Sequence, residues 1–256
     1  MIVVKIGGSL ITDKSRYRTF RRSAAEKIVS AISRENPAVV VHGGGSFGHI
    51  ASRKYNLPGP LTEQNAIGGA IVKNDMADLN NRIVSILIKN NVKAVGISPF
   101  TLYNGTSMDY SPVIRSIKSG FVPVVYGDFY TDGKHGGIVS GDDLMVEACK
   151  IARPDKALFL SDVDGVFDKD PKKYRNAILI KKYERNELNF NTVKNDVTGG
   201  MDRKFKSMLE CKSLGIKTYL INGNYPAVYP PGEFVFHILE SHGAAYHVSY
   251  APHWIA

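Results

Sequence analysis

Val39-Val40-Val41-His42-Gly43-Gly44-Gly45-Ser46-Phe47-Gly48-His49 is the stretch whose reading decides the fold. The three valines form a β-branched, apolar run of the kind buried in a parallel sheet. Three glycines follow at once and let the backbone turn sharply with its N–H groups close to whatever it holds. Beyond Ser46 the pattern becomes helical. A helix N-terminus behind a glycine turn favours an anion, and phosphate is the natural guest. His49 stands where it can reach that anion.

Outward from this stretch, strands and helices alternate along the chain. Residues 3–6 read as a first strand running into Gly7-Gly8-Ser9-Leu10, and residues 11–20 as a polar, basic hairpin. A helix is expected over 24–32 with Ser23 as its N-cap. A long helix starts near Thr62, with apolar residues at helical spacing to Leu87. Strands follow at 94–97 and 121–126, the second entering Gly127-Asp128. Residues 129–140, with Asp132-Gly133 inside them, read as a hairpin or flap. A helix is expected over 142–152 and a strand over 157–160. A second helix spans 204–214, closed by Gly215, before a strand at 217–221. Residues 234–238 suit a sheet edge. This order predicts an α/β fold, an open αβα sandwich around a mainly parallel sheet, with ligands at the carboxyl ends of its strands. The glycine clusters at 7–8, 43–45, 127 and 199–200 are all expected on that edge.

The chain has 256 residues, 43% of them hydrophobic, enough for one large α/β domain or two lobes sharing a sheet. No run is as long and apolar as a membrane span. The first residues, Met1-Ile2-Val3-Val4-Lys5, turn polar too soon for a secretory signal. Cys149 and Cys211 lack metal spacing and read as buried thiols in a reducing, cytoplasmic setting. The formal charge of +9 suits a phosphorylated partner. Much of it lies at 14–22 and 169–182, without a recognised nucleic-acid motif, so a small molecule rather than nucleic acid is expected. The chain has no P-loop and no dinucleotide fingerprint after the first strand, which disfavours both of those classes.

The motifs resemble those of the amino acid kinase superfamily. Lys5-Ile6-Gly7-Gly8-Ser9-Leu10 resembles its opening motif and His42-Gly43-Gly44-Gly45 its second glycine turn. The segment from Ser161 through Asp162 to Phe167, with Asp170-Pro171 behind it, resembles its nucleotide loop. Thr198-Gly199-Gly200-Met201 with Lys204 resembles the motif that reaches the ATP phosphates. Within the superfamily, Gly-Gly-Gly-Ser-Phe-Gly-His is similar to the isopentenyl phosphate kinase branch, for which His49 is the marker. Fosfomycin kinases carry a similar histidine, so a phosphonate acceptor is the alternative.

The resemblance implies ATP over the C-terminal lobe, about residues 136–256, and the phosphate acceptor over the N-terminal lobe, about residues 1–135. It implies catalytic roles for Lys5, Lys14, His49 and Asp142. ATP contacts are expected from Lys5, Gly7, Gly8, Ser9, Gly45, Asp162, Phe167, Gly199, Gly200 and Lys204. Acceptor contacts are expected from Gly43, Gly44, Gly45, Gly48, His49, Gly127 and Asp128. Mg²⁺ is expected on the nucleotide rather than in a protein cage, and a homodimer is implied. Val72, Met76, Phe129 and Ile138 are candidate walls for an apolar acceptor tail. Asp143 is equally well explained by its place at a helix N-terminus, and His42 by packing in the core.

Overall fold

The structure is a computed structural model describing residues 1–165, 167–169, 171–178, 182–184, 200–224, 237–242 and 245–250. In chain order the first elements are β1 (Ile2–Ile6), α1 (Gly8–Ile11), α2 (Arg22–Ser33), β2 (Pro37–His42), α3 (Gly45–Lys54), β3 (Gly59–Pro60) and α4 (Glu63–Lys89). Next come β4 (Ala94–Ile97), α5 (Pro99–Leu102), α6 (Ser111–Lys118), β5 (Val122–Tyr126), β6 (Asp128–Thr131), β7 (His135–Val139) and α7 (Gly141–Ala152). The rest are β8 (Lys156–Ser161), β9 (Lys182–Glu184), α8 (Gly200–Ser213), β10 (Lys217–Asn222), β11 (His237–His242) and β12 (Ala245–Tyr250).

The main sheet has the order β4-β5-β2-β1-β8-β10-β11-β12-β9, and its run from β4 to β10 is parallel throughout. Strands β11, β12 and β9 extend it antiparallel. Chain order reverses direction at β1, with β2 on one side and β8 on the other. Crevices at such switch points, outside the carboxyl ends of the strands, are where open α/β sheets bind ligands. A small antiparallel sheet, β3-β7-β6, stands beside this edge.

Strand alternation sorts β1 into two cores. Ile2, Val4 and Ile6 pack with Ile28, Ile32, Met76 and Leu79 of α2 and α4. Val3 packs on the other face with Met145 and Cys149 of α7 and Phe205 of α8. Both cysteines are free and buried. Helix α4 starts where the sequence suggests, and Thr62 and Asn65 cap it, bonding each other's backbone N–H groups reciprocally at 3.3 Å and 2.6 Å. Gly68-Gly69 does not break this helix. A Cβ at Gly68 would lie 2.2 Å from Tyr55 and one at Gly69 2.6 Å from Phe129, so both glycines admit a packed ring.

The structure differs from the expectations in four places. Helix α2 starts at Arg22, and its cap is Arg21 with no side-chain bond, not Ser23; the chain returning from the basic loop sets its start through Arg21 N–H to Ile11 O, 2.8 Å. Residues 11–20 form not a hairpin of strands but the end of α1 and a loop closed by the single bridge Thr12–Phe20. Helices α5 and α6, with Pro at N1/N2, occupy a stretch in which the sequence reading places no element. The strand expected at a sheet edge, β11, lies inside the sheet, paired with β10 on one side and β12 on the other. Asp170, Thr198, Gly199, residues 234–236 and Trp254 lie outside them.

Candidate active site

Lys5 sits near the carboxyl end of β1, between Val41 of β2 and Phe159 of β8. Alternation turns its side chain toward α7, where it is only 4% exposed. Its Nζ lies 3.0 Å from Asp142 Oδ1. This is an ion pair rather than an aligned hydrogen bond, and no donor among the described residues is aligned on that buried oxygen. Gly141 makes the approach possible, since a Cβ there would stand 3.2 Å from Lys5 Cε and 3.1 Å from His42 O. The two neighbouring aspartates divide as follows. Asp142 holds Lys5, while Asp143 forms a reciprocal cap with Ser140 at the start of α7.

The turns after β1 and β2 interlock. A Cβ at Gly8 would lie 2.4 Å from Gly45 N, and one at Gly43 3.0 Å from Gly8 N. Gly45 has φ +49°, and a Cβ there would lie 1.9 Å from Thr12 Oγ1 and 2.7 Å from Gly8 O. Gly45→Ala is therefore expected to cost about 2–4 kcal/mol of stability, from the left-handed backbone and the overpacking together. Urea unfolding of the variant checks this; an unchanged midpoint would show that the two turns give way freely. Protein acceptors take the N–H groups of Gly43 (Ile6 O, 3.0 Å), Ser46 (Thr12 Oγ1, 3.0 Å) and Phe47 (Gly44 O, 3.1 Å). Among the described residues none is aligned on the N–H groups of Gly44 and Gly45, which open α3.

His49, one turn into α3, lines the same cavity, of about 840 Å³, as Lys5, Lys14, Gly7, Gly8, Ser9, Gly43, Gly44, Gly45, Gly48, Gly127, Asp128, Asp142, Asp162, Phe167 and Lys204. Burial first, then the charges of Lys14, Arg53 and Lys5, holds its pKa below the usual imidazole range, so the ring is neutral at pH 7. His42 is not in the cavity. It is fully buried, stacked on Tyr126 with ring centroids 5.3 Å apart, and its Nε2 lies 3.3 Å from Asn80 Oδ1. Burial lowers its pKa to about 4, so it is a core residue.

Lys204, on α8, donates to Ser161 Oγ at the end of β8, 2.7 Å away. Burial, and next the charge of Lys5, lowers its pKa to about 8. Asp162 is ion-paired with Lys172. Its pKa is low because Lys172, Lys14 and Ser9 outweigh burial, which alone would raise it. Asp128 lines the cavity, but its carboxylate is buried, accepting from Ser98 Oγ (3.0 Å) and Phe129 N–H (2.9 Å) with Lys73 Nζ at 3.5 Å. Burial pushes its pKa up to about 6, against those partners.

The apolar lining includes Leu57, Pro58, Val72, Ile138 and Val139. Val72 and Ile138 are therefore wall residues as expected, whereas Met76 and Phe129 stand behind the wall. Met76 is fully buried under Gly44 and Gly48, and Phe129 is wedged against Gly69 and Gly136. The sequence reading missed Ser161, Lys172, Arg53 and Arg203, which also line the cavity. A signal for Ser161 was available, since it stands directly before Asp162. Gly199 lies outside the described residues, and of Gly200 only the backbone, at the start of α8, is described.

A model of the amino acid kinase family matches residues 1–222. The chain is 46% identical over 230 residues to the isopentenyl phosphate kinase of Thermoplasma acidophilum, covering 88% of this chain and 93% of that protein. It is 31% identical over 245 residues to the isopentenyl phosphate kinase of Methanothermobacter thermautotrophicus, covering 88% and 92%. Its fold is similar to the crystal structure of an isopentenyl phosphate kinase substrate complex, with a TM-score of 0.81 at 40% identity, over 93% of this chain and 99% of that one.

Proposed function

The chain belongs to the amino acid kinase family, and from that premise we propose that it transfers the γ-phosphoryl group of ATP to isopentenyl phosphate, giving isopentenyl diphosphate. The observation that carries this reading is one cavity joining His49 and the Gly44–Gly45 amides to Lys5 and Lys204, beside an apolar wall. A phosphate monoester has its second pKa near 6, so the acceptor is largely dianionic at neutral pH and needs no strong base. What it needs is neutralisation as two anions meet, because phosphoryl transfer proceeds through a loose transition state governed by position and charge.

In this reading, Gly43, Gly44, Gly45, Gly48 and His49 hold the acceptor phosphate, with Gly127 and Asp128 at the pocket's side. Lys5, oriented by Asp142, and Lys14 meet the transferring group. Gly7, Gly8, Ser9, Asp162, Phe167, Gly199, Gly200 and Lys204 hold ATP. Leu57, Val72 and Ile138 receive the hydrocarbon tail. The N-terminal lobe, about residues 1–135, takes the acceptor, and the C-terminal lobe, about 136–256, takes the nucleotide. Mg²⁺, when bound, would supply positive charge that offsets the ATP phosphates. Asp142 and Asp162, already held by Lys5 and Lys172, fit an ion carried mainly by the nucleotide. The same reading places a homodimer in the cytoplasm. No described helix is long and apolar enough to cross a membrane.

A coupled ADP-release assay tests the substrate, using isopentenyl phosphate, dimethylallyl phosphate, fosfomycin and N-acetylglutamate. Turnover strongest on isopentenyl phosphate is expected; turnover confined to fosfomycin or to N-acetylglutamate would overturn the reading. A second expectation follows from Lys204. Bound phosphates favour its ammonium, so the pKa of about 8 in the free protein must rise on nucleotide binding. Above pH 8 binding then requires proton uptake, and ATP affinity falls by up to about tenfold per pH unit. Below pH 7 Lys204 is already charged and this dependence vanishes. Titration calorimetry at pH 7, 8 and 9 checks it; flat affinity over that range, together with unchanged ATP affinity in Lys204→Ala, would remove Lys204 from the phosphate site.

A further inference from the structure

Asp75 is a carboxylate with no place in the site described so far, yet it is 2% exposed in the middle of α4. It accepts a hydrogen bond from the Tyr17 hydroxyl, and Arg18 Nη1 lies 3.4 Å from its Oδ1. Arg18 also donates from Nη2 to Asp78 Oδ2 at 2.7 Å, one turn further along the helix. Asp78 in turn holds Arg82 at 3.0 Å and 3.1 Å. The two guanidiniums lie over aromatic faces, Arg18 over Phe47 at 5.9 Å and Arg82 over Phe20 at 5.6 Å. Arg18 itself has φ +52°, a left-handed backbone that a side-chain-bearing residue keeps only where its surroundings hold it.

Tyr17 and Arg18 belong to the loop that carries Lys14. Its limbs meet through the Thr12–Phe20 bridge and the bond from Asp13 N–H to Thr19 O, 3.0 Å. Asp13 closes the near side of the tip, accepting from Ser15 N–H and Oγ at 2.9 Å and 2.7 Å. Lys14 lines the cavity beside His49 and Lys5, and among the described residues it makes no ion pair of its own. Where its ammonium sits is therefore set by how the loop backbone is held. The far limb is held on α4, the same helix that supplies Val72 to the cavity wall.

We propose that Asp75 is a positioning residue: through Tyr17 and Arg18 it fixes the loop over 12–20 so that Lys14 stays over the phosphoryl group in flight. This rests on the kinase reading and on the role given there to Lys14. Small displacements of a charged group at a transferring phosphoryl are costly, because catalysis there is mostly placement. The substitution Asp75→Asn keeps the volume, removes one of the two carboxylate charges that hold Arg18 and weakens the acceptor of the Tyr17 hydroxyl. It is expected to lower kcat by roughly ten- to a hundredfold and to leave the KM for ATP in place.

A double-mutant cycle with Lys14→Ala separates positioning from general damage. If Asp75 acts through Lys14, Asp75→Asn changes kcat by less than about twofold in the Lys14→Ala background. Equal losses in both backgrounds would overturn the proposal. Tyr17→Phe, at a residue half exposed, offers the same cycle with little risk to the fold. Hydrogen exchange gives a reading independent of turnover. Amides at 13–19 are expected to exchange faster in Asp75→Asn while those of β1 do not change, and unchanged loop exchange would also overturn the clamp. Wild-type protein inactive on isopentenyl phosphate would defeat the substrate reading, while the exchange result would still decide the clamp.

Discussion

Lys5→Met, in protein that still folds, is expected to lower kcat by roughly a thousandfold. Methionine keeps the buried aliphatic stem in its slot beside Gly141, so what disappears is the charge. Removing one preorganised donor to a developing oxyanion commonly costs 10²–10³ in rate, about 3–4 kcal/mol. The upper end applies because Lys5 is nearly sealed from water and already oriented by Asp142 at 3.0 Å. Stability falls as well, since Asp142 then stays buried without its partner, a loss of about 3–5 kcal/mol for a broken buried pair. The double substitution Lys5→Met with Asp142→Asn separates the two effects. It removes the orphaned charge, so the urea midpoint recovers while kcat does not. A double variant with wild-type turnover would show that Lys5 is a structural cation only. A further consequence falls on Lys204. The charge of Lys5 is the second cause of its lowered pKa. Losing that charge raises the Lys204 pKa and moves the alkaline fall in ATP affinity to higher pH.

What was legible in the sequence and what was not have physical reasons. The parallel sheet, the glycine turns and a histidine within reach of them were readable because each rests on local chemistry: a β-branched run and a turn only glycine makes. Lys5 and Lys204 came instead from the family motifs that contain them, and the structure brings both to the cavity that His49 lines. Although its capping partner Asn65 was not singled out, the start of α4 near Thr62 was readable from the helical spacing of its apolar residues. The start of α2 was not, because a distant backbone bond at Ile11 sets it rather than a local side chain. Met76 and Val72 share a helical stripe, and spacing alone cannot say which meets a cavity and which meets the back of a glycine turn. Asp75 was hidden in another way. A carboxylate on an otherwise apolar face reads as solvent-exposed until the loop that covers it is placed, 57 to 58 residues earlier in the chain. The basic run at 14–22 likewise looked like one patch. The structure divides it between Lys14 at the cavity, Arg18 on Asp75 and Asp78, and Arg22 on Glu26.

His49→Ala is expected to lower kcat/KM for the phosphate acceptor by roughly 10²–10³ while the affinity for ATP stays within about twofold. Three cations already bear on this imidazole, and together with burial they keep it uncharged. A fourth cation at that place would raise the cost of the empty site, whereas a neutral N–H adds a directed donor without adding to that repulsion. The imidazole also has a reserve, because a dianionic phosphate raises its pKa and makes protonation easier once the acceptor is bound. Two substitutions separate these contributions. His49→Gln keeps a neutral donor but cannot be protonated, so it should recover part of the loss. His49→Lys supplies charge without the fixed ring, in a pocket that already disfavours charge, so it should recover less. Steady-state kinetics with each substrate varied in turn decides between the outcomes. A loss appearing in the KM for ATP instead would move His49 to the nucleotide side of the cavity. Full activity of the lysine variant would mean that charge alone, and not the directed imidazole, is what the acceptor phosphate requires.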